Sequence, residues 1–217
     1  MRRGTDGMVA PFPGCLTDVA QLADHYRAAS SRVHAKKVAA LDEATRAFIA
    51  ASPFVLVATA DADGRCDVSP RGGPPGFVRV LDDRHLMLPD LNGNNLLDSL
   101  RNVVVNPQVG LLFVLPGRDE TLRVEGRAWV SVDDELRDRF TDVRRPVSVL
   151  GIEVRAAFIH CAKSFRRGRV WETASWDELV APSALELLAC HLQLAEPIDP
   201  ELMERGYAAD LAADAPG

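Results

Sequence analysis

Residues Cys66 to Asn102 decide the reading of this chain. They begin Cys66-Asp67-Val68-Ser69-Pro70-Arg71-Gly72-Gly73-Pro74-Pro75-Gly76-Phe77 and pass through an apolar Leu86–Leu88. They continue as Pro89-Asp90-Leu91-Asn92-Gly93-Asn94-Asn95 into an amphipathic run from Leu96. Two features stand out. Arg71 sits among Gly and Pro residues, where few side chains can cover it. A small polar loop then feeds directly into a helical pattern, and a helix start exposes free backbone N–H groups that suit a phosphate. A strand-end Arg beside a helix N-terminus is a candidate anion site. Each feature alone is weak, because tight connections also carry an Arg paired with a surface acid, and Asn residues cap ordinary helices.

The rest of the chain bounds the possibilities. Its 217 residues suit one large domain, or one domain with extensions, and 47% hydrophobic content is enough for a sizeable core. A formal net charge of −6 argues against general nucleic-acid binding, which needs a basic footprint. Cys15, Cys66, Cys161 and Cys190 form no Cys-x-x-Cys pair and no zinc spacing. With no apolar h-region after the first arginines, they read as reduced thiols of a cytoplasmic protein. No apolar run approaches the length of a membrane span.

The pattern along the chain is strands in the middle and helices at the margins. Residues 1–16 read as a flexible N-terminus, 17–53 as N-terminal helices, 54–171 as a barrel and 172–217 as a C-terminal helical extension. Thr17 is the expected cap of a short helix to about Arg27. A second helix is expected from about Val33 to Ala51, with Val38, Leu41, Thr45, Phe48 and Ile49 as its apolar stripe and Ser52-Pro53 as its stop. Phe54–Ala60, Arg65–Ser69, Phe77–Val80, His85–Leu88, Gln108–Leu115, Thr121–Val132 and Val147–Ile159 read as strands. Asn94 or Asn95 is the expected cap of a helix to about Val103, burying Leu96, Leu97, Leu100, Val103 and Val104. Further helices are expected after Asp133, Ser175, Ser183 and Asp199. Six or seven strands joined by short turns fit a mainly β, antiparallel barrel with flanking helices (α+β) better than alternating α/β units.

Three other patches invite function. Lys163, Arg166, Arg167 and Arg169 crowd beside Trp171, and such a segment can neutralise a phosphate and stack on a planar ring. Arg123 and Arg127 alternate with Leu122 and Val124, which is also the pattern of a solvated strand face. His160-Cys161 ends a strand with no acid at a telling spacing, so a structural His is the better reading and no metal site is expected. There is no Gly-x-Gly-x-x-Gly after a strand, no Walker loop and no Gly-x-Ser-x-Gly elbow.

Taken in order, Ser52-Pro53-Phe54 through Ala60, Asp67-Val68-Ser69-Pro70-Arg71-Gly72-Gly73, Leu88-Pro89-Asp90, Asn94 through Asn102, Asn106-Pro107, Gly110 through Phe113 and Thr121 through Arg127 resemble the pyridoxamine 5′-phosphate oxidase-like, flavin-nucleotide-binding family. The resemblance covers about Leu41 to Trp171. It implies a split β-barrel that binds FMN at the interface of a homodimer. It places Ser69, Arg71, Gly72, Asp90, Asn94 and Asn95 around the FMN phosphate and ribityl chain. It brings Thr121 and Arg123 of a partner strand to the flavin, with Lys163, Arg166 and Trp171 closing the site. Two departures matter. Asn95-Leu96 stands where close relatives often carry consecutive basic residues, which removes charge-assisted contacts of about 1.5–3 kcal/mol each. The strand at Asp67 lacks the Arg-x-x-Leu-Leu-Lys pattern of true pyridoxamine phosphate oxidases, which argues against that substrate. The leading expectation is an FMN-dependent oxidoreductase acting on a small molecule, with no catalytic acid or base identified. A deazaflavin-dependent reductase and a non-catalytic flavin- or haem-binding module are the alternatives.

Overall fold

The computed structural model describes residues 12–91, 93–194 and 198–216. The chain divides into two compact units, one up to Lys37 and one from Val38 onward. In the first, a 3₁₀ turn spans Val19–Asp24, and α1 spans Ser31–Ala35. The cap of the 3₁₀ turn is Asp18 rather than Thr17. Its carboxylate accepts from Ala20 N–H, while the Gln21 side chain reaches back to the cap, a reciprocal capping box. The expectation for residues 1–11 lies outside the described residues.

The second unit opens by correcting the sequence reading. The continuous helix expected from Val33 to Ala51 does not form. Val38 instead makes a β-bridge with Ala157, exchanging both backbone bonds at 3.0 and 2.8 Å. Leu41 is buried, and its N–H donates to the Asp83 carbonyl at 2.7 Å. A new helix, α2, then starts at Glu43 and ends at Ala51, because the Asp42 carboxylate accepts from Thr45 N–H at 2.7 Å. The apolar spacing was real, but tertiary pairing claimed its first part. Ser52 ends the helix as expected, and its buried hydroxyl lies 2.8 Å from both the Phe54 and Val114 carbonyls.

Seven strands follow: β1 Phe54–Ala60, β2 Cys66–Gly72, β3 Arg79–Val80, β4 His85–Asp90, β5 Gln108–Val114, β6 Thr121–Ser131 and β7 Ser148–His160. They form one antiparallel sheet in the order β2-β1-β5-β6-β7-β4-β3. With helices only at its margins, this is the antiparallel split-barrel class that the sequence pattern implies. Val55, Val57, Leu86, Leu88, Leu111, Phe113, Leu122, Val124, Leu150 and Ile152 fill its interior. Each fully buried side chain of this size contributes about 1.5–3 kcal/mol. A bulge between Glu125 and Gly126 shifts the β6–β7 register. Gly126 is required there, since a Cβ would lie 2.3 Å from the Glu153 carbonyl oxygen.

Two strands run further than expected, and both extensions matter to the site. β2 continues through Pro70 and Arg71 to Gly72, and β4 continues to Asp90. Pro70 is tolerated because β2 is an edge strand. The helix α3, Asp98–Val105, starts later than expected. Neither Asn94 nor Asn95 caps it. Leu97 holds the cap position with φ +61°, and Leu96, Leu97 and Val104 are exposed rather than buried. Val103 alone is fully buried from the expected face, with Leu100 packed beside it. Among the described residues, four further helices follow: α4 Asp134–Arg137, α5 Lys163–Arg167, α6 Ala184–Leu192 and α7 Pro200–Ala213, with a 3₁₀ turn over Thr173–Glu178. No helix among the described residues is long and apolar enough to cross a membrane.

Candidate functional site

Alternation along β2 builds the site. Successive strand residues point to opposite faces. Asp67, Ser69 and Arg71 therefore share one half-buried face, while Val68 points the other way. The first face meets the end of β4 at Asp90, the loop Gly93–Leu97 and the first turn of α3. Together they enclose a cleft of about 140 Å³. The loop is held in shape locally. The Asn94 side-chain oxygen accepts from Leu96 N–H at 3.1 Å, and both Asn95 (φ +56°) and Leu97 are left-handed. A left-handed Leu costs roughly 1–2 kcal/mol, a cost the surrounding packing must offset. The result turns the chain so that α3 opens onto the cleft. By position, the amides of Asp98, Ser99 and Leu100 have no carbonyl to meet within the helix.

Charge in this cleft is unbalanced. Among the described residues that line it, Arg71 is the one cation, against the carboxylates of Asp67, Asp90 and Asp98. The buried Ser99 hydroxyl donates to Asp67 at 2.6 Å. Arg71 Nη1 lies 4.0 Å from Asp90 Oδ1, close enough for charge attraction but too far for a hydrogen bond. Burial pushes the Asp90 carboxyl above its ordinary range, and the Arg71 charge and the Ser148 hydroxyl only partly offset this. Asp90 is thus a reluctant anion, and the Arg71 guanidinium is not tied down by it. An oxyanion offered two or three acceptor oxygens could take Arg71, Ser69 and the helix-start amides together.

The opposite face of β2 contributes to a second, larger cleft of about 380 Å³. Leu56, Ala58, Val68, Leu112 and Phe165 make it apolar, and Thr121, Arg123, His160 and Ser164 add polar groups. Arg123 pairs with Glu125 at 2.7 Å and lies over the Phe158 ring. His160 stacks at a tilt on the same ring. No group of three or more His, Cys, Asp or Glu side chains among the described residues is placed to hold a metal.

The residues singled out from sequence thus separate into groups. Ser69, Arg71, Asp90, Asn94 and Asn95 come together in the first cleft. Gly72 ends β2 on the alternate face and does not line it. Thr121 and Arg123 line the second cleft. Lys163 begins α5, whose Ser164 and Phe165 wall that cleft. Arg166 pairs with Asp119 at 2.9 Å, and Trp171 packs on Phe165 while its indole N–H donates to the Arg118 carbonyl. Sequence reasoning missed Asp67, Asp98 and Ser99 as cleft residues. The period of two that places Ser69 and Arg71 on one face would have found Asp67 as well.

A family model described as "Pyridoxamine 5'-phosphate oxidase" matches residues 41–161, more than half of the chain. The chain belongs to the pyridoxamine 5′-phosphate oxidase family. The matched region spans β1 to β7 and the whole first cleft, leaving α1 and the helices after Cys161 outside it, among them α5, whose Ser164 and Phe165 wall the second cleft. Among solved structures, a putative pyridoxamine 5′-phosphate oxidase from Lactobacillus delbrueckii is 25% identical, covering 57% of this chain and 98% of that one, with a TM-score of 0.45. HupZ of Group A Streptococcus is 20% identical over 54% of this chain and 92% of its own, with a TM-score of 0.46. HutZ, a haem storage protein from Vibrio cholerae, is 16% identical over 55% and 94%, with a TM-score of 0.35. A comparison with curated proteins found no match.

Proposed function

We propose that this family member is an FMN-binding flavoprotein, working as an oxidoreductase on a small molecule, with two chains completing each site. The observation that carries the reading is the convergence of Ser69, Arg71, Asn94 and Asn95, far apart in sequence, at the opening turn of α3. The donor set fits a phosphomonoester. Arg71 supplies charge, Ser69 a hydroxyl, and the α3 start unpaired amides. Asp90, with its raised affinity for a proton, competes only weakly with a phosphate for Arg71. When bound, the isoalloxazine ring supplies the electron or hydride chemistry, and the protein binds, orients and shields it.

The single cation of the first cleft is why a second chain belongs in the proposal. Thr121 and Arg123 line the second cleft rather than the first, and Lys163 opens the helix that walls it, so in this reading they serve a neighbour's cleft instead of their own. The test is a titration of the ligand-free protein with FMN, followed by quenching of flavin fluorescence, with a deazaflavin and haemin titrated in parallel. Saturable FMN binding at one equivalent per chain supports the reading. Binding of haemin or deazaflavin with no response to FMN would replace it. The three carboxylates that share the cleft with Arg71 favour one second reading, a non-catalytic module that holds its ligand loosely. Failure of nicotinamide donors to reduce the bound flavin would select it.

A further inference from the structure

The segment after Trp171 differs from the rest of the chain in charge. Ten of the 31 acidic residues fall in 172–217, against one of the 25 basic residues, Arg205. The remaining chain therefore carries more basic than acidic residues. This acidic stretch is held at both ends. At its start, Ser175 is buried and Trp176 donates its indole N–H to the Val170 carbonyl. At its far end, the Asp214 carbonyl accepts from Arg144 N–H at 2.8 Å. Arg144 precedes β7 in the chain, and Val170 follows it beyond α5.

Between the anchors, α6 and α7 bury no residue. Leu187, Leu192, Leu202, Tyr207 and Leu211 are all exposed. Their sequence nevertheless encodes helices strongly. Ser183 and Glu186 form a capping box, and Asp199 caps a helix with Pro in its first turn. Helices of 9 and 14 residues are marginal alone in water. Exposed leucines on them call for a covering surface, and the acids around them call for a basic one.

The second cleft offers that surface. Its floor is apolar, and α5 on its wall carries Lys163 and Arg167, neither with a carboxylate within 4.0 Å among the described residues. No described residue beyond Phe165 lines it, so the chain's own α6 and α7 lie elsewhere. We infer that α6 and α7 of one chain dock across the α5 side of the second cleft in a second copy, and that the exchange is reciprocal about a two-fold axis. The acidic helices meet the basic α5, and the leucines meet the apolar rim. The inference rests on the two-chain assembly proposed above and uses nothing about the flavin.

Native cysteines make the test direct. Cys190 lies in α6, Cys161 lies at the end of β7 beside α5, and both are free and exposed. Two full-length chains are co-expressed with different tags, both carrying Cys15→Ser and Cys66→Ser. One also carries Cys190→Ser and the other Cys161→Ser. A short bismaleimide should join the two different chains to each other far more than either to its own kind. Sedimentation and FMN titration on the same sample report assembly and cofactor binding separately. A dimer that binds FMN without this cross-link overturns the docking and leaves the flavin reading standing. In a third sample, a chain carrying only Cys15→Ser and Cys66→Ser keeps both Cys161 and Cys190, and a cross-link that forms within that chain but never between the two single-cysteine chains overturns it in favour of docking within one chain. The expected cross-link in a protein that ignores FMN would uphold the docking and sink the flavin reading alone.

Discussion

Replacing Arg71 by Ala should separate recognition of a phosphate from recognition of a flavin ring. Arg71 is the only cation among the described residues that line the first cleft, and its side chain is 30% exposed. Its contact with Asp90 is loose at 4.0 Å. Two unit charges at that distance attract by about 4 kcal/mol in an effective dielectric near 20, but pairs open to water return only about 0.2–1 kcal/mol once solvation is counted. The ligand-free variant should therefore lose about 1 kcal/mol of stability or less. A charge-assisted bond to a phosphate contributes more, about 1.5–3 kcal/mol, which converts to a roughly 10- to 150-fold rise in Kd. Riboflavin provides the control, since it carries the same ring and ribityl chain without the phosphate. Fluorescence titrations of both ligands should show FMN binding weakened by that factor and riboflavin binding unchanged. Equal losses for both ligands would mean that Arg71 supports the fold instead. An unchanged FMN affinity would refute the assignment of this cleft to a phosphate.

Other substitutions test neighbouring parts of the account. Asp90 binds its proton more readily than an ordinary Asp, so lowering pH through its raised value removes a carboxylate that competes for Arg71. FMN affinity should rise across that window, and Asp90→Asn should bind about 1.5- to 5-fold tighter at neutral pH, as an exposed pair of 0.2–1 kcal/mol implies, with the step abolished. By the same sign, any stability that Asp90 contributes falls as pH rises through its folded value, and thermal melts of wild type and Asp90→Asn should converge at low pH. Ser99→Ala strips Asp67 of its 2.6 Å donor and should cost about 1–3 kcal/mol, read as a lowered denaturant midpoint with an unchanged slope. Gly126→Ala drives a Cβ against the Glu153 carbonyl in the β6–β7 bulge and should cost about 1–3 kcal/mol or more, while Gly206→Ala, in open space on α7, should cost nothing; equal melting temperatures would place the bulge outside the folding constraint.

The strands were legible because their signals are local. Phe54–Ala60 reads as a strand from its own composition, and β1 has those bounds. β6 alternates cleanly, and Leu122 and Val124 are buried as the alternation requires. Failures came where a distant segment or an unusual backbone decides the outcome. Nothing near Val38 shows that Ala157 will pair with it across the sheet. Asn94 and Asn95 look like helix caps, but after Asn94 the chain spends three more residues, two of them left-handed, before α3 begins. That delay exposes Leu96 and Leu97, which a helical wheel would bury. For the site, Ser69, Arg71, Asp90, Asn94 and Asn95 could be named from their chemistry. Their separation from Thr121 and Arg123 by the two faces of one edge strand needed the sheet.

In the proposed reading the first cleft of this barrel holds the phosphate of a flavin nucleotide. The most direct measurement is the absorbance spectrum of the protein as purified, followed by identification of whatever heat releases from it. The account predicts the two visible bands of an oxidised flavin and FMN in the supernatant, lost together in Arg71→Ala. A colourless protein that also fails to take up added FMN would contradict it.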